Sequence, residues 1–195
     1  GVGAGTIFDY VQVHYNVDDG TEPFGGTVSQ THVVVTGIGD DSFDGTDGYQ
    51  GFMQFLIAQQ RADDADNGFE LSNNGDDPAN ATPKSTAIIA NATLVGADSV
   101  GMDPPMGDGE IQALGSKSDH AVAFREGSNY RIYNVIATGF GKSGFCIEDA
   151  ETATEAENDR LVLESSIFFN NVTTGTASSN YGGSGCDDAW TTNEH

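Results

Sequence analysis

Carboxylates recurring at near-constant spacing are the chemical resource of this chain. Asp18-Asp19-Gly20-Thr21-Glu22 returns 22 residues later as Asp40-Asp41-Ser42-Phe43-Asp44, and Asp66-Asn67-Gly68-Phe69-Glu70 follows after a further 26. If the copies stack, Asp18, Asp40 and Asp66 form one column and Glu22, Asp44 and Glu70 another. Like charges ~5 Å apart repel by roughly 1 kcal/mol in water, and by several times more where solvent is restricted. Such ladders call for a counter-ion, and Ca²⁺, which takes six to eight oxygens at flexible geometry, suits them. The expected ligands are Asp18, Asp19, Glu22, Asp40, Asp41, Asp44, Asp66 and Glu70, with Asn67, Asn73, Asn74 and turn carbonyls completing the shell. A competing reading has these acids capping turns by accepting backbone N–H groups. An ungapped third copy would place Asp63 and Asp66 in the ladder instead, and the residues do not choose. No EF-hand spacing is present.

Paired carboxylates also serve glycoside hydrolysis, one as acid and one as base; Asp19, Asp40 and Asp41 are the candidates. A lyase would need a base to take an α-proton, and Arg61, Lys84, Arg125, Arg131 and Lys142 are scattered. His14 and His32 lie 18 residues apart, out of step with the repeat, and read as structural. No Ser-His-Asp, Cys-His or phosphate-loop arrangement stands out. Phe8, Tyr10, Phe43, Phe52, Phe55 and Phe69 follow strand spacing and read mostly as core or stacking residues. Cys146 and Cys186 each follow a Gly-rich approach, so they can face each other across a rung. A disulfide is favoured over free thiols, which suits an oxidising, extracellular setting. A metal pair has no CxxC to support it.

The repeat that must position these groups extends beyond the acids. Val11-Gln12-Val13 returns as Val33-Val34-Val35 and then aligns with Phe55-Leu56-Ile57, and Gly26 recurs as Gly48 after 22 residues. A fixed period of this size signals a solenoid whose units bury their apolar faces only against neighbours. Short β-branched or aromatic runs broken by Gly, Asn and Asp favour strands over helices. At about 3.3 Å per residue, such a unit is one rung of a parallel β-helix. Coil one begins near residue 6 with no capping helix before it, coil two covers about Thr27 to Gly48, and coil three Gln50 to Asn74. A short insertion near Arg61 to Asp64 accounts for the longer third step. Val34-Val35-Thr36-Gly37 is matched by Thr93-Leu94-Val95-Gly96 and Ile136-Ala137-Thr138-Gly139, so the solenoid continues. A further coil is expected over His120 to Asp149 and a last one over Leu161 to Asn171. Irregular insertions fall near 73–84, 97–118 and 150–160, the last either a helical turn or mobile. The whole of 1–195 is expected to be one domain.

Seven basic residues against thirty acidic ones give a net charge of −23, which repels nucleic acid and anionic membrane and invites cations. No run of 18 apolar residues spans a membrane, and the opening Gly1-Val2-Gly3-Ala4-Gly5 lacks the character of a signal peptide.

Asp18 to Val28, Asp40 to Asp44 and Ala81-Thr82-Pro83-Lys84-Ser85 resemble the signature of secreted bacterial right-handed parallel β-helix proteins of the pectate-lyase-like superfamily. The likeness covers most of the chain and is similar to the C-terminal part of such proteins. It implies export and a right-handed β-helix, with no settled activity. Gly39-Asp40-Asp41 is similar to the Asp-Asp motif of polygalacturonase-type hydrolases, but the Gly-His-Gly and Arg-Ile-Lys motifs are missing, and Arg131-Ile132-Tyr133 is a poor substitute. The expected function is therefore an extracellular or cell-surface structural, adhesive or self-assembling module, Ca²⁺-stabilised and non-catalytic. Its partners would be other copies, stacked end to end, or acidic or neutral glycans. A lyase or hydrolase of acidic glycans and a non-catalytic glycan-binding module are the alternatives.

Overall fold

Alternation along the strands decides which side chains go inside. In the second strand Val33 and Val35 are fully buried while Val34 between them is half-exposed, the period-two pattern of a strand with one face on a core. The computed structural model describes residues 1–97, 118–171 and Cys186. Its strands are β1 (Ile7–His14), β2 (Ser29–Thr36), β3 (Phe43–Gly45), β4 (Phe52–Gln59), β5 (Phe69–Leu71), β6 (Ile88–Val95), β7 (His120–Phe124), β8 (Arg131–Thr138), β9 (Ser143–Ile147), β10 (Val162–Glu164) and β11 (Ile167–Phe169). One helix, α1, spans Ala150–Glu157.

All the strand pairs are parallel. The long sheet runs β1-β2-β4-β6-β8, with β10 and β11 both on β8, and the short sheet runs β3-β5-β7-β9. From β2 to β10 consecutive strands alternate between the two sheets, so the chain winds through one rung after another as a parallel β-helix. The apolar columns follow the register: Val33, Leu56, Ala92 and Val135 stack in one, and Val35, Ala58, Leu94 and Ala137 in the next, all of them buried. Phe43 and Phe69 stack on the short side with ring centroids 5.4 Å apart.

The register corrects three expectations. Val33 pairs with Leu56, not Phe55, because one residue is added at the corner between Gly48 and β4. The step from β1 to β2 is 22 residues, and later steps are longer as residues enter the turns. His120 to Asp149 is not one coil either. Its first part, β7, completes the rung begun by β6, whereas β8 and β9 form the next. The third copy keeps its gap: Phe43 pairs with Phe69 and Asp44 with Glu70, so Asp66, not Asp63, continues the ladder. The acidic 150–160 segment is helical because Asp149 caps it, its carboxylate accepting the Thr152 N–H at 2.7 Å. The surface loop expected at 97–118 lies almost wholly outside the described residues.

Each long strand is interrupted once. Tyr10, His32, Phe55, Asn91, Asn134 and Ser165 have φ between +52° and +59° and fall at one level of the register. One left-handed residue per rung bends the strand, so a single sequence run supplies two walls. Asn tolerates that conformation best and His is enriched in it, whereas Tyr and Phe rarely adopt it. Here their rings stack outside the core, Tyr10 on His32 at 4.5 Å and His32 on Phe55 at 4.8 Å. Tyr10 and Phe55 are accordingly outward residues, 78% and 46% exposed, and not core.

Candidate acidic ladder

The turn before each short strand carries the acids. Gly26 and Gly48, at φ +86° and +81°, turn the corner after that strand, a backbone that favours residues without Cβ. Between turn and corner, the structure places the predicted carboxylates in three adjoining columns. Asp40 and Asp66 lie in successive rungs, the Asp66 N–H donating to the Asp40 carbonyl, and Asp119 follows through its own N–H on the Asp66 carbonyl. Asp18 precedes them, its carboxylate within 4.8 Å of those of Asp19 and Asp40. Lys142 closes the column on Asp119.

The middle column is a hydrogen-bonded ladder. Asp19 Oδ1 accepts the Asp41 N–H at 3.1 Å, Asp41 Oδ1 accepts the Asn67 N–H at 2.7 Å, and Asn67 Oδ1 accepts the His120 N–H at 3.2 Å. His120 Nδ1 meets Ser143 Oγ at 2.7 Å. Each side chain thereby fastens the backbone of the next rung, which is the turn-capping role for one oxygen of each acid. Asn67, expected from the sequence as part of an ion shell, is instead a rung of this column, while His120 and Ser143 escape detection because the chemistry changes along the column and insertions separate its members. The only signal is an aromatic or β-branched residue two positions later: Phe43, Phe69, Val122, Phe145.

The third column lies on the strands themselves: Asp44 pairs with Glu70, and the level continues to Ala123 and Cys146. Glu22 leads it, its carboxylate within 4.8 Å of Asp19 and Asp44. Asp41, Asp44 and Glu70 form a second such triad, and Asp40, Asp41 and Asp66 another. Arg125 ends the column, its guanidinium 2.6 Å from Glu70 Oε1 and 3.5 Å from Glu148.

Burial and neighbouring negative charge act together here. Burial, then Glu70 and Asp66, pushes Asp41 up to about 10. Asp44 rises to about 8 through burial, Glu70, Asp19 and Glu22. Asp19 rises to about 7 through burial and Glu22, and Asp66 to about 7 through burial and Asp119. Burial lowers His120 to about 4, with Lys142 adding to the effect. Burial works against the charge on Arg125, but Glu70 and Glu148 outweigh it.

Other expected ligands are engaged elsewhere. Asn73 Oδ1 accepts the Ser85 N–H, and Asn74 Oδ1 accepts those of Asp76 and Asp77, so neither oxygen faces the carboxylates. Cys146 and Cys186 are joined as a disulfide. His120 lies within 4.8 Å of both sulfurs, which offer no thiolate while bonded to each other. Of the scattered bases, only Arg125 touches the ladder's Glu70, Lys84 serving Glu155 and the Gly127 carbonyl. A mainly apolar cavity of about 430 Å³ among the described residues, lined by Phe124, Phe145, Leu161 and Phe168 among others, holds none of the acids.

A family model described as a pectate-lyase-like beta helix domain matches residues 1–194. No curated protein and no solved structure matches the chain.

Proposed function

We propose, from the premise that this chain belongs to the pectate-lyase-like β-helix family, that it is an extracellular or bacterial cell-surface structural module. In this reading it adds to further coils through its first rung. One observation carries it. Phe8, Val11 and Val13, on the inward side of β1, are only half-buried, whereas their register partners Gln30, Val33 and Val35 are buried. The same rung exposes Val2, Ile7, Tyr10, Tyr15, Val17 and Phe24, half of the twelve large exposed apolar residues among those described. An edge of this kind, with strand N–H and C=O groups on one side, templates another strand, and the Tyr10 ring continues the stack outward. The Cys146–Cys186 disulfide supports an oxidising location, and no helix among the described residues is long and apolar enough to cross a membrane.

The test is association. Light scattering behind size exclusion, followed by electron microscopy, is expected to show oligomers or filaments that grow with protein concentration. Monomers at every concentration would defeat other copies of this sequence as the source of those coils.

A second reading rests on Asp41, an acid held protonated beside Asp44, Glu70 and, through Glu70, Arg125. A protonated acid beside a second carboxylate is what a hydrolase of acidic glycans uses. Incubation with pectate or alginate would then release reducing ends by hydrolysis, unsaturated uronates would instead indicate elimination by a lyase, and affinity without turnover would indicate glycan binding alone.

A further inference from the structure

The middle and third acidic columns end where two cysteines and a histidine meet. His120 begins β7 and is 3% exposed, and Cys146 lies on β9 and is fully buried. A ring nitrogen of His120 and the sulfurs of Cys146 and Cys186 all stand within 4.8 Å of one another. The cysteines are 40 residues apart, so the pair lacks the local spacing of a metal motif. The solenoid supplies the proximity instead, since β7 pairs with β9, His120 opposite Ser143 and Ala123 opposite Cys146. Hydrogen bonding also decides which imidazole nitrogen is available. Ser143 donates its one hydroxyl proton to the Phe145 carbonyl at 2.9 Å, so at 2.7 Å it accepts from His120 Nδ1–H. Nε2 therefore keeps its lone pair. An imidazole anchored through one nitrogen and free at the other is how histidine usually serves a metal.

We propose that this cluster is a redox-gated metal site: once a dithiol reduces Cys146–Cys186, His120 Nε2 and the two sulfurs bind one Zn²⁺, so that disulfide and metal exclude each other. Reduction breaks the S–S bond. The dithiol supplies two electrons and two protons and leaves as its own disulfide, while Cys146 and Cys186 become thiols. Binding then sends both thiol protons to solvent, because the thiolate is the ligand. Two thiolates about 2.3 Å from a tetrahedral ion are about 3.8 Å apart, a separation that side-chain rotation reaches with Cα atoms 5.3 Å apart. The set is two cysteines and one histidine, with a fourth position left for water. Thiolate with imidazole selects Zn²⁺, whereas the neighbouring carboxylates are hard ligands and no rivals for it. Two thiolates also cancel the charge of the ion, as burial demands. The two states differ mechanically: the disulfide ties Cys186 to β9 alone, whereas the ion ties it to β7 as well and so braces two rungs. The association through β1 proposed above is independent of this site, and failure of either leaves the other standing.

The experiment uses the full chain, reduced with dithiothreitol, desalted without oxygen and titrated with Co²⁺, whose thiolate charge-transfer absorption reports sulfur ligation and is not produced by carboxylates. One Co²⁺ per reduced chain is expected to give the band, Zn²⁺ to bleach it, and the oxidised chain to show none. Cys186→Ser should diminish the band, and His120→Gln should weaken Co²⁺ binding at least tenfold. Ser143→Ala, which frees the Nδ1 side of His120 without removing a ligand, should weaken it about tenfold to a hundredfold. Circular dichroism follows folding throughout. If reduction unfolds the chain, refolding on addition of Zn²⁺ supports the site and failure to refold overturns it. If His120→Gln does not fold, Ser143→Ala decides. No band on the folded reduced chain, a band on the oxidised chain, or unchanged affinity in His120→Gln overturns the proposal.

Discussion

At Asp41 the pH dependence of stability runs opposite to that of a salt-bridged carboxylate. Its unfolded value is that of an ordinary aspartate, while burial, Glu70 and Asp66 raise the folded one to about 10. Between these limits the folded chain holds a proton that the unfolded chain has released. Stability is therefore complete below the unfolded value and is lost as pH rises through the folded one. Asp44 at about 8, with Asp19 and Asp66 at about 7, adds in the same sense. In chelator, the melting temperature should fall steadily from pH 5 to pH 9, as followed by circular dichroism; a flat or rising profile would contradict the burial of these acids. Asp41→Asn keeps the Oδ1 acceptor for the Asn67 N–H but cannot ionise. In chelator it should melt like the unaltered chain below the ordinary aspartate value and progressively higher than it up to pH 9.

Among the elements, the bend in each long strand sets the cross-section, and its residues carry an unusual load. His32 adopts φ +52° and stacks between Tyr10 and Phe55 while its Nδ1 contacts Asp9 Oδ1 at 2.8 Å. His32→Ala should cost about 1–2 kcal/mol in denaturant unfolding, since aromatic pairs contribute roughly 0.5–1.5 kcal/mol and Ala gains nothing in the left-handed region. His32→Asn should cost less, because Asn accommodates that backbone. Equal losses would show that the backbone preference is not at work. None of this is legible in the sequence: Tyr10 and Phe55 look like further core aromatics, as their spacing is a strand's. Only knowledge of the bend turns them outward. By contrast, Val11, Val33, Gly26 and Gly48 recur without interruption, which makes the first two rungs readable. The one-residue slip to Leu56 is hidden because Phe55, Leu56 and Ile57 are all apolar, so both registers satisfy the pattern.

Across the molecule, a net charge of −23 is arranged and not merely dispersed. Two columns end on protein cations, Lys142 on Asp119 and Arg125 on Glu70, at the side away from the first rung. Neither terminus of the ladders is evident in the sequence, where Lys142 stands 76 residues beyond Asp66 and Arg125 55 beyond Glu70. The acids themselves are legible, as their near-constant spacing survives one short insertion. Without divalent ions, monovalent salt should take over part of the screening. Raising sodium chloride from about 0.01 M, where the Debye length is ~30 Å, to about 1 M, where it is ~3 Å, should raise the melting temperature of chelated protein. Insensitivity to salt would mean that mutual repulsion does not limit its stability.

The extra residues between β4 and β6 lie at corners, leaving the strand columns in line. The segment 73–84 shows the tolerance most plainly: Phe52 pairs with Ile88, a stride of 36 residues, yet the walls on either side continue undisturbed. Corner length is thus decoupled from wall geometry. A foreign peptide spliced at Asp76 or Asp77 would be displayed on a rigid frame, held at a known height along the axis, without asking the frame to change.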